Sequence, residues 1–474
     1  MAIIDELLRV AKPLGDSIRI SKGPVVSVRD TKAVADNIDK IVRTAVLGDP
    51  REKALTQWLI RACALGMGVF PASIHDLYLA RGQSKTPDDF TVPAINLRAL
   101  PFAAARTVFR SAVATESCAM IFEIARSEMG YTDQRPTEYA ANILAAAIAE
   151  GYVGPVFIQG DHFQVSAGKY AQDPNSEIDA ILGLSRDSIA AGFFNIDIDT
   201  STLVDLSKET ISEQQELNYT CCAELAAGIR SLEPEGVTIS LGGEIGEVGG
   251  VNSTEPELRA FMEGYNKEME ARLPSAASLS KISIQTGTSH GGVVLPDGSI
   301  AEVSVDFDTL QHLSAVAKEY GMGGAVQHGA STLPEEAFSR FPETNTLEVH
   351  LATGFQNILY DELPQELLEE IFAYLRDNHS NERKEGQTDD QFYYKTRKRA
   401  IGPFKQALWD LPESTIHLIE KKWEEQFKLL FERLNVGQTR EMVQRFTNLV
   451  PIQPGIKSYL AESGGVGDIS DLDD

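Results

Sequence analysis

The 474-residue sequence predicts an α/β fold, a (βα)8 TIM barrel with helical N-terminal and C-terminal extensions. Eight short apolar runs follow one another along the middle of the chain, and helix-like segments separate them. Most of the runs are continuously apolar, which is typical of parallel strands covered on both faces. They span about 280 residues, close to the usual size of such a barrel. An open doubly wound sheet is the alternative, but its Gly-rich nucleotide fingerprint is missing.

The strands and helices of the barrel are predicted from these runs. The predicted strands are 92–96, 120–125, 154–160, 193–199, 237–246, 281–288, 324–330 and 346–353. A helix is predicted over 136–151, because Pro136 suits a helix start and Gly151 suits a helix end. The other predicted helices are 176–192, 212–230 and 307–321.

The chain is predicted to divide into three parts. Residues 1–85 form a helical extension and residues 86–375 form the barrel. Residues 376–474 form a second helical extension that ends in a disordered acidic tail. The stretches 30–48 and 52–66 are amphipathic. Near the C-terminus an apolar stripe at helical spacing predicts packing against the body or against a partner subunit. This stripe consists of Ile419, Trp423, Phe427, Leu430 and Leu434.

Composition excludes several classes of function. The formal charge of −26 disfavours nucleic-acid binding and docking on anionic membranes, both of which need basic surface. No apolar run reaches the roughly 18 residues of a membrane span, and the acidic start is unlike a secretory signal. The four cysteines are scattered without metal-binding spacing, as expected of reduced thiols. We therefore expect a cytoplasmic protein.

Polar residues at the predicted strand ends indicate the site, since barrel active sites lie at the carboxyl ends of the strands. Asp161 and His162 end the third strand, Glu244 the fifth, His290 the sixth and His328 the seventh. Three histidines with an open fourth position describe a catalytic zinc site, so His162, His290 and His328 are the predicted ligands. Further polar residues at strand ends are Asp197, Asp199, His350 and Thr353.

The carboxylates and glycines near these histidines suggest the remaining parts of the site. Asp161 is predicted to face the substrate as a general acid/base, and its burial implies a nearby cation. Glu244 is the best candidate for a carboxylate beside the metal, whereas Asp197 and Asp199 could equally form helix caps or loops. The turns "HGG" (290–292) and "HGAS" (328–331) can direct backbone N–H groups at a phosphate.

Together these motifs resemble the class II, zinc-dependent fructose-bisphosphate aldolase family, which includes tagatose-bisphosphate aldolases. The resemblance covers about residues 88 to 375, and the order and strand positions of the motifs agree with the family. The motifs are "GDH" (160–162), "GEIGEVGG" (243–250), "GTSHGG" (287–292), "HGAST" (328–332) and "HLATG" (350–354).

The resemblance implies a role for each matching residue. It makes His162, His290 and His328 ligands of Zn²⁺ or another divalent metal, places Glu244 close to the metal, and makes Asp161 the acid/base. Residues at positions that hold the substrate or its phosphate are Gly291, Gly329, Ser331, His350 and Thr353. Arg397, in "YYKTR" (393–397), matches an arginine that reaches a second phosphate in the neighbouring subunit. A monovalent cation and a homodimer or homotetramer are also implied.

Several positions depart from the family pattern. Gly242 stands where the family has its first glutamate, and Ala330 replaces a glycine of the phosphate turn. His350 and Ala352 replace an asparagine and an aspartate that contact substrate in the family. The mobile catalytic glutamate has no clear counterpart, and Glu255 is the candidate.

The implied reaction is reversible cleavage of a ketose phosphate between C3 and C4. Fructose 1,6-bisphosphate, for example, would yield dihydroxyacetone phosphate and an aldehyde. Schiff-base chemistry is disfavoured because Lys281 opens its strand at the wrong end. Two alternatives stay open: another metal-dependent barrel enzyme such as a hydrolase, and a non-catalytic companion subunit, which "IDIDTST" (196–202) resembles.

Overall fold

Eight parallel strands close into a barrel in the computed structural model, which describes residues 2–246, 251–287, 295 and 304–461. The barrel closes because its last strand pairs with its first, Glu348 opposite Val92 and Leu351 opposite Ile95. The predicted TIM barrel is therefore confirmed, with all eight predicted strands present. The barrel strands are β4 (Val92–Asn96), β5 (Ile121–Ala125), β6 (Gly154–Gln164), β7 (Asn195–Asp199), β8 (Ser240–Glu244), β9 (Lys281–Ile284), β10 (Ala325–Gln327) and β11 (Glu348–Leu351).

Three further strands lie in the N-terminal extension, where the sequence predicted only helices. The strands β1 (Ile18–Ser21) and β2 (Val25–Val28) form an antiparallel hairpin, and β3 (Val69–Ala72) pairs in parallel with the start of β6. All three are only four residues long, too short for periodicity to separate them from neighbouring helices. The extension thus adds a strand to the barrel sheet.

Helices cover the outside of the barrel and build both extensions. The helices are α1 (Ala2–Val10), α2 (Thr31–Ala35), α3 (Asp39–Leu47), α4 (Pro50–Gly66), α5 (His75–Gly82), α6 (Pro101–Thr115), α7 (Arg126–Tyr131), α8 (Pro136–Ala149), α9 (Ala167–Gln172), α10 (Pro174–Ala191), α11 (Ile211–Gln214), α12 (Glu216–Arg230), α13 (Glu255–Arg272), α14 (Phe307–Glu319), α15 (Arg340–Glu343), α16 (Thr353–Asp361), α17 (Gln365–Asn378), α18 (Asp389–Thr396), α19 (Lys405–Trp409), α20 (Glu413–Arg433), α21 (Arg440–Arg445) and α22 (Ile456–Ala461). Short 3-10 helices lie at Lys12–Ser17, Ser201–Leu203, Glu335–Ser339, Ser380–Glu382 and Arg397–Ala400. Among the described residues, none of the helices is both long enough and apolar enough to cross a membrane.

The C-terminal extension packs against the body of the chain. The predicted stripe of α20 is buried, and the Trp423 indole N–H donates to the Phe355 carbonyl at 3.0 Å. Farther on, Trp58 and Arg61 of α4 donate to the carbonyls of Pro454 and Ile452, which joins the two extensions. His290, Gly291 and the predicted disordered tail lie outside the described residues. The predicted division into three parts stays a prediction.

Candidate active site

A bulge in β6 brings Asp161 and His162 into one pocket. The predicted strand ended at Gly160, but β6 continues to Gln164, and its pairing with β7 shifts register between Gly160 and Phe163. Side chains of neighbouring residues in a regular strand point to opposite faces. His162 adopts a left-handed backbone conformation, with φ of +38°, and both side chains line the pocket. The bulge therefore redirects one side chain, as bulges next to active sites commonly do.

His162 and His328 face each other through one nitrogen each. The distance from His162 Nε2 to His328 Nδ1 is 3.1 Å, and Asp161 Oδ1 lies 3.8 Å from the same His162 nitrogen. Two nitrogens bound to one tetrahedral zinc, each 2.0–2.1 Å from the ion, would lie roughly 3.3 Å apart. The observed spacing fits a shared metal ion. Asp161, His162 and His328 form one of the buried groups whose ligand atoms could hold an ion.

The other ring nitrogens of this histidine pair also have partners. His162 Nδ1 lies 3.1 Å from Asp199 Oδ2 and 3.3 Å from Glu244 Oε2, and His328 Nε2 lies 2.9 Å from Ser283 Oγ. Partners of this kind hold metal-binding imidazoles in one orientation and one tautomer. Glu244 thus sits on the far side of His162 from His328. Asp199, whose role the sequence left open, lies beside the same nitrogen of His162 as Glu244 does.

The ionisable side chains around His162 shift one another's pKa values. Burial, and then the neighbouring Asp199, raise the pKa of Glu244 to about 7. Burial opposes the charged form of His162, but the carboxylates of Asp161 and Glu244 outweigh it and raise the pKa of the imidazole well above its usual value. The site is therefore an acidic cavity that favours a cation.

His350 lies between carboxylates at the base of the pocket. Its Nδ1 is 3.1 Å from Glu123 Oε2 and 3.2 Å from Asp161 Oδ1, and its Nε2 is 2.7 Å from Glu348 Oε1. The ring packs against His328, with centroids 4.0 Å apart. Sequence reasoning missed Glu123 and Glu348, although a charged residue inside a buried apolar strand is itself an available signal.

Below His350, Lys281 is fully buried in an ion-pair network. Its ammonium lies 2.9 Å from Asp197 Oδ2 and 2.5 Å from Glu348 Oε1. Burial alone would lower the pKa of this lysine, but these two carboxylates raise it to about 12. Because Lys281 stays protonated, it is not poised as an amine nucleophile. The expectation against Schiff-base chemistry agrees with this environment.

The same network explains the departure at Gly242. A Cβ there would overlap Asp197 Oδ1 and meet Lys281 Cε at 3.0 Å. The space that a side chain would occupy in the barrel is thus filled by the Asp197–Lys281 pair. A glycine is required as long as that pair is present.

Gly242→Ala is expected to destabilise the fold by about 1–3 kcal/mol, the usual cost of overpacking. Gly183 in α10 provides the control, because an added Cβ there would meet nothing within 4 Å apart from its chain neighbours and the backbone of its own helix. Gly183→Ala should be neutral or stabilising, since alanine is the better helix former. Urea unfolding of both variants measures the difference, and equal midpoints would contradict this account of Gly242.

The pocket at the mouth of the barrel has a volume of about 470 Å³, part of which is open to solvent. Gly329, Ser331, His350 and Thr353, all predicted to hold the substrate or its phosphate, line it. Ser331 Oγ accepts a hydrogen bond from the Ala352 N–H at 2.7 Å, which joins the turn after β10 to the start of α16. The remaining lining residues are Asn96, Arg98, Glu123, Ala125, Glu128, Asp161, His162, His328, Leu351 and Ala352.

Arg397 and Glu255 neither line this pocket nor contact its histidine pair within the chain. Arg397 donates to Asn357 Oδ1 at 2.5 Å, and its guanidinium lies over the rings of Tyr360 and Tyr394. Glu255 begins α13 and pairs with His312 at 2.6 Å. A role for Arg397 in a neighbouring subunit stays a prediction.

The fold and the site define a (βα)8-barrel protein with a candidate metal centre at the carboxyl ends of its strands. A family model described as fructose-bisphosphate aldolase class-II matches residues 84–420. The chain belongs to this family, which confirms the resemblance found in the sequence.

Other comparisons give more distant likenesses. No curated protein matches the chain. Three similar solved structures are the fructose-bisphosphate aldolase of Campylobacter jejuni, the YdjI aldolase of Escherichia coli K12 and a probable tagatose 6 phosphate kinase of Sinorhizobium meliloti. Their identities are 17%, 12% and 14%, with TM-scores of 0.46, 0.46 and 0.48. Each alignment covers 78% of this chain, and 96%, 99% and 96% of the other chain respectively.

Proposed function

We propose that this protein is a metal-dependent aldolase that reversibly cleaves a ketose phosphate between C3 and C4. One observation carries the proposal: two imidazoles face each other 3.1 Å apart beside the Asp161 carboxylate, at the mouth of a barrel. Their outer nitrogens lie beside Asp199, Glu244 and Ser283, as metal-binding histidines require. His162 and His328 would hold the metal, with His290 as the predicted third ligand.

In this proposal Asp161 moves the proton of the reaction. A divalent ion bound here would act as a Lewis acid toward the substrate carbonyl. Asp161 would accept the proton of the C4 hydroxyl as the C3–C4 bond breaks, and would return it in the condensation direction. Gly329, Ser331 and the start of α16 at Thr353 would hold a substrate phosphate, because backbone N–H groups at a helix start favour an anion.

Product analysis tests the proposal directly. The metal-loaded protein is incubated with dihydroxyacetone phosphate and a panel of aldehydes, and the products are identified by mass spectrometry. We expect a ketose phosphate from at least one aldehyde. A fully metal-loaded protein that forms no product would instead favour the companion-subunit alternative.

Metal removal should distinguish a metal-dependent aldolase from one that forms a Schiff base with a lysine. Because the ion supplies the Lewis acid, EDTA should abolish activity, and added Zn²⁺ should restore it. Borohydride should trap no substrate on the protein, since Lys281 is protonated and ion-paired. Activity that survives EDTA together with a borohydride adduct would refute the metal mechanism.

Asp199→Asn should weaken metal binding by about 10–100-fold, the usual cost of removing such a partner. Asp199 lies 3.1 Å from His162 Nδ1 and also accepts hydrogen bonds from Gln164 and Ser201. Competition with a chromophoric chelator measures the affinity. Asp205→Asn, at a partly exposed residue beyond the same strand, is the control and should bind metal normally. Equal affinity in the two variants would show that Asp199 does not support the ligand.

A further inference from the structure

Arg98 places a permanent positive charge in the wall of the pocket. It follows β4, and it is the only lysine or arginine among the described residues that line the cavity. Three carboxylates, those of Glu123, Glu128 and Asp161, line the same cavity. Neither the strand-end pattern nor the family motifs drew attention to Arg98, because it lies two residues beyond its strand.

The guanidinium of Arg98 has a fixed orientation. Its Nε donates to Glu128 Oε1 at 2.6 Å, and the two side chains are only 10% and 2% exposed. Glu128 is itself held, because its other oxygen accepts from Asn96 Nδ2 at 2.6 Å and from the Ala125 N–H at 2.8 Å. A group held this firmly loses little conformational entropy on binding a ligand.

Arg98 also lies at the edge of the barrel where an anion would bind. Its strand β4 neighbours β11, which leads into α16 at Thr353. Gln356, on the first turn of α16, has its Oε1 3.4 Å from Arg98 Nη1. The cation, the helix start and the Ser331 turn therefore meet on one side of the pocket. Loops after the last two strands form phosphate sites in many barrels of this type.

We propose that Arg98 binds the phosphate of the substrate from within the same chain, and so determines specificity for phosphorylated over neutral ketoses. A dianion entering a cavity with three carboxylates, in a chain of charge −26, needs a local cation. An arginine fork can donate parallel hydrogen bonds to phosphate oxygens. Arg397, the arginine that the sequence predicts as a phosphate contact, does not line this pocket within the chain. That the bound phosphate belongs to a ketose substrate rests on the proposed function, whereas the presence of an anion site at Arg98 does not.

Calorimetric titration of the full-length protein with inorganic phosphate tests the site without any assay of catalysis. The main variant is Arg98→Met combined with Glu128→Gln, which removes the pair without leaving a buried carboxylate alone. Arg98→Lys keeps the positive charge but loses the planar guanidinium that can donate two parallel hydrogen bonds. This variant replaces the double variant in the experiment if the latter does not fold. The control combines Arg110→Met with Glu424→Gln, an Arg–Glu pair at 2.8 Å that lies outside the pocket. Titrations are repeated in EDTA to separate phosphate bound by Arg98 from phosphate bound by a metal.

We expect the double variant to bind phosphate at least tenfold more weakly than wild type, both with and without EDTA. Arg98→Lys should lose about threefold to tenfold, and the control should match wild type. Wild-type affinity in a folded Arg98 variant would overturn the proposal, as would the absence of phosphate binding by wild type in EDTA. Arg98-dependent phosphate binding in a protein without aldolase activity would overturn the proposed function alone.

Discussion

Asp161→Asn is expected to lower kcat by about 10²–10⁴ while the protein keeps its metal, the range that a positioned general acid/base contributes. The carboxylate lines the pocket 3.8 Å from the histidine nitrogen that faces His328, where it can reach a substrate on the metal. Asparagine has nearly the same shape but cannot accept a proton at neutral pH. Steady-state kinetics and metal analysis of the purified variant measure the two effects.

A matched control separates chemistry from general destabilisation. Asp187 is half-buried on α10, the second helix after β6, and does not line the pocket. Asp187→Asn should keep kcat within about twofold of wild type, because it changes the same group away from the reacting atoms. If Asp161→Asn stays within about threefold of wild type, another group moves the proton.

His162→Ala and His328→Ala are each expected to lose nearly all bound zinc and, with it, activity. A catalytic zinc site has three protein ligands, so that the loss of one leaves too few to retain the ion. His290→Ala should behave in the same way if the sequence prediction for this residue holds. Zinc content is measured by mass spectrometry after gel filtration in the presence of a weak chelator.

His312→Ala is the control for the ligand variants. This exposed histidine pairs with Glu255 away from the pocket, so its loss should leave the zinc content unchanged. His350→Asn, which installs the family's residue, should also keep its metal, because His350 lies between carboxylates below the histidine pair. Full zinc content in His162→Ala or His328→Ala would remove that residue from the ligand set.

Much of the barrel could be predicted because each strand is recognisable from its own short stretch of sequence. Each strand is a short apolar run covered on both faces, and burial forces that composition wherever the strand lies. The strands β1 to β3 escaped prediction because four residues carry too little periodicity. Helix α20 was predictable for the opposite reason, since its stripe repeats over several turns.

The site was only partly predictable. His162, His328 and Asp161, which line one pocket, were predicted because polar residues at the ends of apolar strands converge in a barrel. Which nitrogen faces which partner depends on the bulge in β6 and on the φ of His162, and no residue pattern encodes these. The place of Asp199 beside His162 likewise follows only from the pairing of β6 with β7.

By itself, the sequence determined the fold class, because it follows from patterns of burial along the chain. Its motifs indicated the family and several of the residues that line the mouth of the barrel. Only the tertiary structure decided how Gly242 accommodates Lys281 and Asp197, and why Arg98 faces the same cavity as Ser331 and Thr353. These contacts join residues far apart in sequence across the barrel. Their geometry depends on strand register and on close packing between segments. Neither can be recognised in the sequence of a single segment.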